Sequence, residues 1–234
     1  MIPRQDYYCT NPRLDIGIDS KEFPKRGSRC HTTNVLEATT MPPSPHAVEK
    51  FYLRPTVHSP NSPLPVLLYR NVLPKPYSEE STSAFLAGKD WEKRGVFGHI
   101  PTYHFHPNTH ECYGIFQGSS TLIIGRGEKD DKGGVLIPVS AGDVIVIPAG
   151  TTHCCSNSRG NYRYVGVYPK GAPKWRNEFD KKPIDHASVR KEIASVEMPT
   201  QDPVYGDEGP LIVSWREASR RGFVADAIIA SSKL

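Results

Sequence analysis

The sequence predicts an all-β domain, a sandwich or small barrel, with a few peripheral helices. Between Gly98 and Pro169, short runs of β-branched and aromatic residues alternate with turns that carry glycine, proline or asparagine. Closely spaced short strands with little helix between them are typical of sandwiches and barrels. The chain contains no internal repeat, so the pattern indicates a single barrel and excludes a duplicated one.

Three regions follow from the distribution of prolines and of the strand pattern. Residues 1–48 are a proline-punctuated N-terminal arm without helical or strand periodicity. Residues 49–170 are expected to form the barrel together with a preceding helix. Residues 171–234 are expected to form a C-terminal extension, which starts as a basic linker after Gly171.

The segment between the arm and the barrel predicts two short strands and one helix. The strand candidates are Phe51–Arg54 and Val66–Val72, which a proline-rich turn separates. The helix is predicted over Ser78–Trp91, with Ser78 or Ser81 as its N-cap.

The barrel region predicts seven strands, and the extension predicts one helix. The strands are expected at residues 98–106, 110–117, 119–124, 135–139, 143–147, 151–156 and 162–168. The helix is expected near Asp185–Val196, with Asp185 as its cap.

Charge and hydropathy exclude several classes of protein. The 29 basic residues exceed the 25 acidic ones by only 4, and the basic stretches also contain acids and prolines, so no nucleic-acid partner is predicted. No apolar run approaches the roughly 18 residues of a membrane-spanning helix. The first residues lack the apolar core of a secretory signal, so secretion is not expected.

The five cysteines do not form a recognisable framework. They lie at positions 9, 30, 112, 154 and 155, so their number is odd and no C-x-x-C pair exists. Neither a set of disulfides nor a structural zinc knuckle is predicted. Reduced thiols in an intracellular compartment fit this pattern best.

Three histidines and one glutamate have the spacing of metal ligands. His104 and His106 lie two residues apart, which places both imidazoles on one face of a strand. Glu111 would point away on an unbroken strand, but the turn residues at 107–109 let it return toward the same point. His153, after a turn with proline and glycine, is the candidate for the fourth ligand. This set suits one divalent first-row metal, whether Fe, Mn, Ni, Co, Cu or Zn.

The spacing of these residues resembles the two motifs of the cupin superfamily. The first motif has the form G-x5-H-x-H-x4-E-x6-G, and it is matched by Gly98, His104, His106, Glu111 and Gly118. The second has the form G-x5-P-x-G-x2-H-x3-N, and it is matched by Gly142, Pro148, Gly150, His153 and Asn157. The resemblance implies a double-stranded β-helix, a jelly-roll-like barrel, that holds the metal inside through His104, His106, Glu111 and His153.

A closer resemblance, over roughly residues 50–217, is to the YjlB-type single-domain cupins. It is carried by the segments Leu64–Tyr69, Tyr103–Glu111, Gly166–Pro169, Asp202–Gly206 and Gly209–Leu211. This resemblance implies a homodimer, in which the open edge of a sheet is paired or covered.

The apolar residues of the arm suggest how it is used. We expect the arm either to lie across a barrel, its own or the partner's, or to be a disordered leader. In the first case a short added strand would alternate through Leu14, Ile16 and Ile18.

Further residues share the face of a ligand on their predicted strands and are expected to line the substrate pocket. They are Thr102, Tyr113, Gln117 and Cys155. Cys155 is either a small buried hydrophobe or a sulfur ligand that would favour copper or zinc. His99 and His110 fit no ligand position and are expected at the surface or beside the ligands.

The metal centre suggests an enzyme that acts on a small organic molecule. Four protein ligands leave about two open positions on an octahedral metal. The leading hypothesis is a dioxygenase, an oxidoreductase in which Glu111 also acts as a base, as the resemblance to cupin oxygenases implies. A metal-dependent isomerase, lyase or decarboxylase is the first alternative, and a non-catalytic metal-binding or small-molecule-binding protein is the second.

The last three residues predict a location. Ser232, Lys233 and Leu234 match the tripeptide that the peroxisomal import receptor reads at a C-terminus, and without import the protein would be cytoplasmic. We expect an N-terminal fluorescent fusion to be punctate with a peroxisomal marker, and deletion of Leu234 to release it to the cytosol. A diffuse signal from the intact fusion would refute this location.

Overall fold

The structure, a computed structural model, describes residues 48–179 and 183–231, and within this part it contains nine strands and three helices. The strands are β1 Glu49–Phe51, β2 Val66–Tyr69, β3 Trp91–Phe97, β4 His104–Phe105, β5 Glu111–Ile124, β6 Val135–Ser140, β7 Val144–Ile147, β8 His153–Pro169 and β9 Glu178–Phe179. The helices are α1 Glu79–Ala87, α2 His186–Ala194 and α3 Pro210–Ser231. None of the three helices is long and apolar enough to cross a membrane.

Some of the sequence predictions fall outside the described residues. They concern the arm 1–48 apart from Val48, its added strand, and the C-terminal tripeptide Ser232, Lys233 and Leu234.

The first helix is shorter than predicted, and the strand that follows it was missed. α1 is capped by Ser78, whose side chain accepts a hydrogen bond from the Ser81 main-chain N–H. The predicted end at Trp91 is wrong because Asp90 has a φ of +56°, which ends the helical path, and Trp91 begins β3. The charged sequence of β3 hides its strand character, and the strand predicted at 98–106 forms only over the two residues of β4.

The long strands β5 and β8 form an antiparallel ribbon that organises the domain. Their pairing runs from Cys112 opposite Val167 to Ile124 opposite His153. The 14 residues of β5 would span about 45 Å if straight. Yet the Oε2 atom of Glu111, at one end of the ribbon, lies 3.3 Å from Nε2 of His153, at the other end. The ribbon therefore folds back on itself.

The bend in the β5–β8 ribbon lies where two glycines, Gly118 and Gly160, face each other. The register shifts on both sides of Gln117, and Gly118 and Gly160 have φ angles of +66° and +63°. A Cβ atom on Gly118 would lie 2.3 Å from the carbonyl oxygen of Arg159. Only glycine satisfies both the left-handed φ and this close approach.

The remaining strands extend the ribbon into a curled sheet in the order β1-β2-β7-β5-β8-β4-β9, with β3 beside β8 and β6 beside β5. The strands β2 and β7 are buried on both faces. On β7, Val144 and Val146 pack with Leu86 and Trp215 on the helical side, whereas Ile145 and Ile147 pack inside the barrel. This double burial explains the continuous apolar run of β7.

Buried polar contacts fix α3 against the barrel. Asp202 is fully buried, and its Oδ2 atom accepts hydrogen bonds from the Tyr69 hydroxyl at 2.7 Å and from the Leu211 N–H at 2.9 Å. One turn later, the indole N–H of Trp215 donates to the Pro65 carbonyl at 2.9 Å. These bonds orient the start of α3 over the outer face of β2.

The bend of the β5–β8 ribbon at Gly118 can be tested by three glycine substitutions. Gly118→Ala is expected to lower the free energy of unfolding by about 3 kcal/mol or more, because left-handed strain adds to overpacking. Gly171→Ala has the same kind of φ, +80°, but open space around it, and is expected to cost about 1 kcal/mol. Gly88→Ala, with a φ of −68° and its nearest contact at 3.6 Å, should stay within about 0.5 kcal/mol.

Denaturant unfolding monitored by circular dichroism measures all three values. If Gly118→Ala lost no more stability than Gly171→Ala, the close approach at the fold of the ribbon would not exist.

Candidate metal centre

Three buried imidazoles are oriented by main-chain carbonyls. Each Nδ1 atom lies within hydrogen-bond distance of one such oxygen: that of His104 at 2.8 Å from Thr102, that of His106 at 3.0 Å from Arg176, and that of His153 at 3.0 Å from Thr151. Because a carbonyl oxygen only accepts, each Nδ1 carries the proton and each Nε2 keeps its lone pair. This is the tautomer that a metal-binding histidine needs.

The sheet brings the three lone pairs together. His104 on β4 pairs directly with His153 on β8, and His106 follows on the same face two residues later. One ring nitrogen from each of the three lies within 4.8 Å of the others. The three-histidine cluster is therefore a candidate site for a divalent metal.

Glu111 completes the arrangement. Its Oε2 atom lies 3.3 Å from Nε2 of His106 and 3.3 Å from Nε2 of His153. Its Oε1 atom accepts a hydrogen bond from the hydroxyl of Tyr168. The structure thus brings the three predicted histidine ligands together and places Glu111, the fourth predicted ligand, beside two of them.

Two atoms of this cluster are buried without a partner. Within the described chain, Oε2 of Glu111 and Nε2 of His153 have no hydrogen bond. Buried polar atoms without partners are costly, and each normally has a reason. Three nitrogen lone pairs, with a carboxylate oxygen beside two of them, are a donor set that suits a divalent first-row metal, so these residues fit such an ion.

Burial and the neighbouring charges of the cluster determine the pKa values of His104, His106 and Glu111. Burial, and then the neighbouring His153, lower the pKa of His104 to about 3, so this imidazole is neutral at physiological pH. Burial alone would raise the pKa of the Glu111 carboxyl, but the adjacent His106 and His153 lower it well below its usual range. Burial alone would lower the pKa of His106, yet Glu111 raises it. A metal that binds here therefore meets a neutral His104 imidazole and an ionised Glu111 carboxylate.

A strap across the barrel mouth, defined here as residues 171–179, supplies the Arg176 carbonyl that orients His106. Asn108 holds the strap, because its amide donates to the Lys174 carbonyl at 2.9 Å and accepts from the Arg176 N–H at 3.0 Å. The Arg176 guanidinium also makes a bidentate ion pair with Glu192 on α2. What the sequence indicated as a basic linker is thus part of the site.

The ligands open onto a cavity of about 310 Å³. Its floor contains His104, His106 and Glu111. Its sides form an aromatic wall, which consists of Phe97, Tyr113, Tyr164, Tyr168, Trp175 and Phe179. The arrangement can hold a small molecule directly above the candidate metal position.

Two of the four predicted pocket residues lie in this lining. Tyr113 is buried in the aromatic wall, and Thr102 lies at the exposed rim, where its carbonyl also orients His104. Cys155 is buried and borders a much smaller cavity behind His104 and His153, of about 10 Å³.

The prediction for Gln117 was wrong. Its side chain is exposed and lies outside the cavity lining. The prediction extended the alternation from Glu111 along β5, but the register shift between Ile115 and Gln117 reverses which face each later residue occupies.

The two histidines outside the ligand positions differ from each other. His99 is exposed and lies 2.8 Å from the Ser158 hydroxyl. His110 is buried, so a surface position is excluded for it. Its Nδ1 atom accepts from the Ala149 N–H at 3.0 Å, and its ring lies 4.6 Å from that of Trp215. Burial lowers the pKa of His110 to about 3, so it is a neutral packing residue.

The sequence predictions missed five of the six residues of the aromatic wall, namely Phe97, Tyr164, Tyr168, Trp175 and Phe179. Tyr168 lies at the end of a predicted strand, but its place beside Glu111 follows from the pairing of Cys112 with Val167, which only the structure gives. For Trp175 and Phe179 no periodic pattern marks the segment.

Comparison with known proteins identifies relatives of this chain. A family model described as Cupin matches residues 94–180. The uncharacterized protein YjlB of Bacillus subtilis (strain 168) is 30% identical over 160 residues, which cover 67% of this chain and 89% of YjlB.

Several solved structures are similar at lower identity. A variant of Bacillus subtilis oxalate decarboxylase is 18% identical over 50% of this chain and 28% of its own, with a TM-score of 0.28. Procruciferin, an 11S globulin from Brassica napus, is 11% identical over 58% and 37%, with a TM-score of 0.32. RmlC from Streptococcus suis, in complex with dTDP-D-xylose, is 12% identical over 71% and 93%, with a TM-score of 0.30. This chain thus spans less than half the length of the decarboxylase and of the globulin.

Binding of a metal can be detected through stability. Adding Zn²⁺ or Co²⁺ to about 100 times its Kd should stabilise the protein by about 2.7 kcal/mol, and so raise Tm by about 5–10 °C. His153→Ala should abolish or strongly reduce this rise because it removes one of the three clustered imidazoles, whereas His99→Ala should keep it. Differential scanning calorimetry before and after chelation measures the shift. An equal shift in wild type and His153→Ala would place the ion elsewhere.

Proposed function

This chain belongs to the cupin superfamily, and on that premise we propose that it is a metal-dependent oxidoreductase of the dioxygenase type that acts on a small organic molecule. The observation that supports the proposal is a cluster of three imidazoles beside one carboxylate, of which His104, His106 and Glu111 line the floor of a cavity. Such a site both binds an ion and leaves room for a substrate beside it.

The ion would be held by Nε2 of His104, His106 and His153 and by Oε2 of Glu111. A divalent first-row metal supplies Lewis acidity there, and a redox-active one also supplies one-electron chemistry with dioxygen. The four ligands are at most 7% exposed, so the protein shields the reacting centre from bulk water.

Glu111 is the group in the cavity that can accept a proton from the substrate. Its carboxyl is ionised at neutral pH, and one oxygen is held by Tyr168 while the other has no hydrogen bond. Burial, followed by the Glu111 charge, raises the pKa of the Tyr168 hydroxyl, which therefore stays protonated and keeps donating to Oε1. A substrate hydroxyl that enters the cavity would lose its proton to Glu111, whose Oε2 atom would leave the metal transiently to accept it.

A metal-dependent isomerase, lyase or decarboxylase is the second candidate. The specific observation in its favour is the same Glu111–Tyr168 pair, in which a carboxylate that can accept a proton is held in place by a neighbouring hydroxyl. Such a pair serves proton transfer next to a polarised carbonyl without any change of redox state.

Oxygen uptake separates the two candidates. Protein loaded in turn with Fe, Mn, Ni, Co, Cu or Zn is offered a panel of phenols and enolisable ketones in an oxygen electrode. We expect uptake stoichiometric with product for at least one redox-active metal. Turnover of any compound without oxygen uptake would contradict the dioxygenase and favour the second candidate.

The proposed role of Glu111 as a base can be tested in the same assay by measuring kcat of a Glu111 variant. Glu111→Gln is expected to lower kcat by about 10²–10⁴-fold, the usual contribution of a general base, even when metal analysis shows full loading. His99→Ala, whose side chain is exposed on the outside of the barrel, is the matched control and should leave kcat unchanged.

A further inference from the structure

The cavity above the four ligands also indicates what kind of molecule it accepts. We propose that the substrate is a planar, conjugated molecule with a single ionisable hydroxyl group, whose ring lies against the aromatic wall while the hydroxyl points to the floor. This inference rests on the proposed function in that it concerns the same site.

The rings of the aromatic wall hold one another in place. Tyr164 lies 4.0 Å from Tyr113 and 5.6 Å from Phe97, measured between ring centroids. Trp175 stacks on Tyr168 at 5.2 Å with an interplanar angle of 13°, and it meets Phe97 edge-on at 6.3 Å. Rings fixed by their neighbours lose little freedom when a ligand binds, and aromatic ligands gain most from such contacts.

The cavity offers no side-chain cation to an anionic substrate. In the described part of the chain, neither lysine nor arginine contributes to its lining. The guanidinium of Arg94 lies 5.3 Å from the Tyr168 ring centroid, but it is bound to Glu92 and to the carbonyls of Ala172 and Pro173. Recognition of a second carboxylate or of a phosphate therefore has no partner here.

The charge of the loaded centre allows only one anionic group. A divalent ion combined with the ionised carboxylate of Glu111 leaves one net positive charge, because the histidines bind as neutral imidazoles. A phenolate or an enolate neutralises that charge. A dianion would leave an excess negative charge in a buried site, which is unfavourable without a further partner.

The volume of the cavity and the residues at its rim agree with a planar, conjugated substrate. A volume of about 310 Å³ is at the small end of ligand pockets, which suits one small ring system. Thr102 and Asn177, both exposed at the rim, provide hydrogen-bonding groups for polar substituents on the outer side of the ring.

Hydroxamates test the ring preference without turnover. Benzohydroxamate, cyclohexanecarbohydroxamate and acetohydroxamate share one metal-binding group and one charge, and differ only in the attached flat ring, saturated ring or methyl. Isothermal titration calorimetry with zinc-loaded protein compares their affinities. We expect benzohydroxamate to bind about tenfold more tightly than acetohydroxamate and about threefold more tightly than the cyclohexyl compound.

Variants of the strap test whether Trp175 causes the preference for the flat ring over the saturated ring. Trp175→Ala should reduce the preference for the flat over the saturated ring to less than about 1.5-fold, because it removes an aromatic contact, and should leave acetohydroxamate binding unchanged. Trp175→Phe keeps a ring and should retain the preference. Lys174→Ala, an exposed neighbour outside the lining, is the matched control.

The outcomes separate this inference from the proposed function. Equal affinities for the three hydroxamates, no binding of any of them, or tighter binding of the dianion oxalate than of benzohydroxamate would overturn the substrate class. A ring preference combined with no oxygen uptake on planar phenols would support the substrate class and contradict the dioxygenase. Oxygen uptake on acyclic enols, combined with no ring preference among the hydroxamates, would support the dioxygenase and contradict the substrate class.

Discussion

The reversal of the β5–β8 ribbon at Gly118 and Gly160 is the constraint on which the rest of this structure depends. Glu111 and His153 lie at opposite ends of that ribbon, and only the reversal brings them within contact distance. A left-handed φ and a close main-chain approach meet at Gly118, so the bend is built into the backbone. The metal ligands are thus placed by strand pairing, and side-chain contacts only refine their positions.

Orientation of the ligands is shared between the barrel and the strap. His104 and His153 each bond a carbonyl two residues upstream, so their rotamers are set locally. His106 instead depends on the Arg176 carbonyl of the strap, the same segment that adds Trp175 to the aromatic wall. One short segment therefore couples the geometry of the floor to the shape of the cavity, and Asn108 ties it to the turn between two ligands.

Local rules predict His104, His106 and Glu111 as ligands from the sequence, whereas His153 was found through the resemblance to the second cupin motif. Alternation along a strand places His104 and His106 together, and turn chemistry returns Glu111 toward them. The same alternation failed at Gln117, since a register shift is invisible in a single sequence. β3 was missed because its charged residues do not look like a strand. Trp175 and Phe179 could not be predicted, because their positions depend on main-chain contacts of an aperiodic segment.

The function proposed for this protein requires that His104, His106, Glu111 and His153 hold one divalent ion. Anomalous diffraction at the zinc absorption edge, on crystals of zinc-loaded protein, tests it most directly. We expect one strong peak about 2.0–2.2 Å from the three Nε2 atoms and from a Glu111 carboxylate oxygen. The absence of a peak there, or a peak bound by fewer than three of these four side chains, would contradict it.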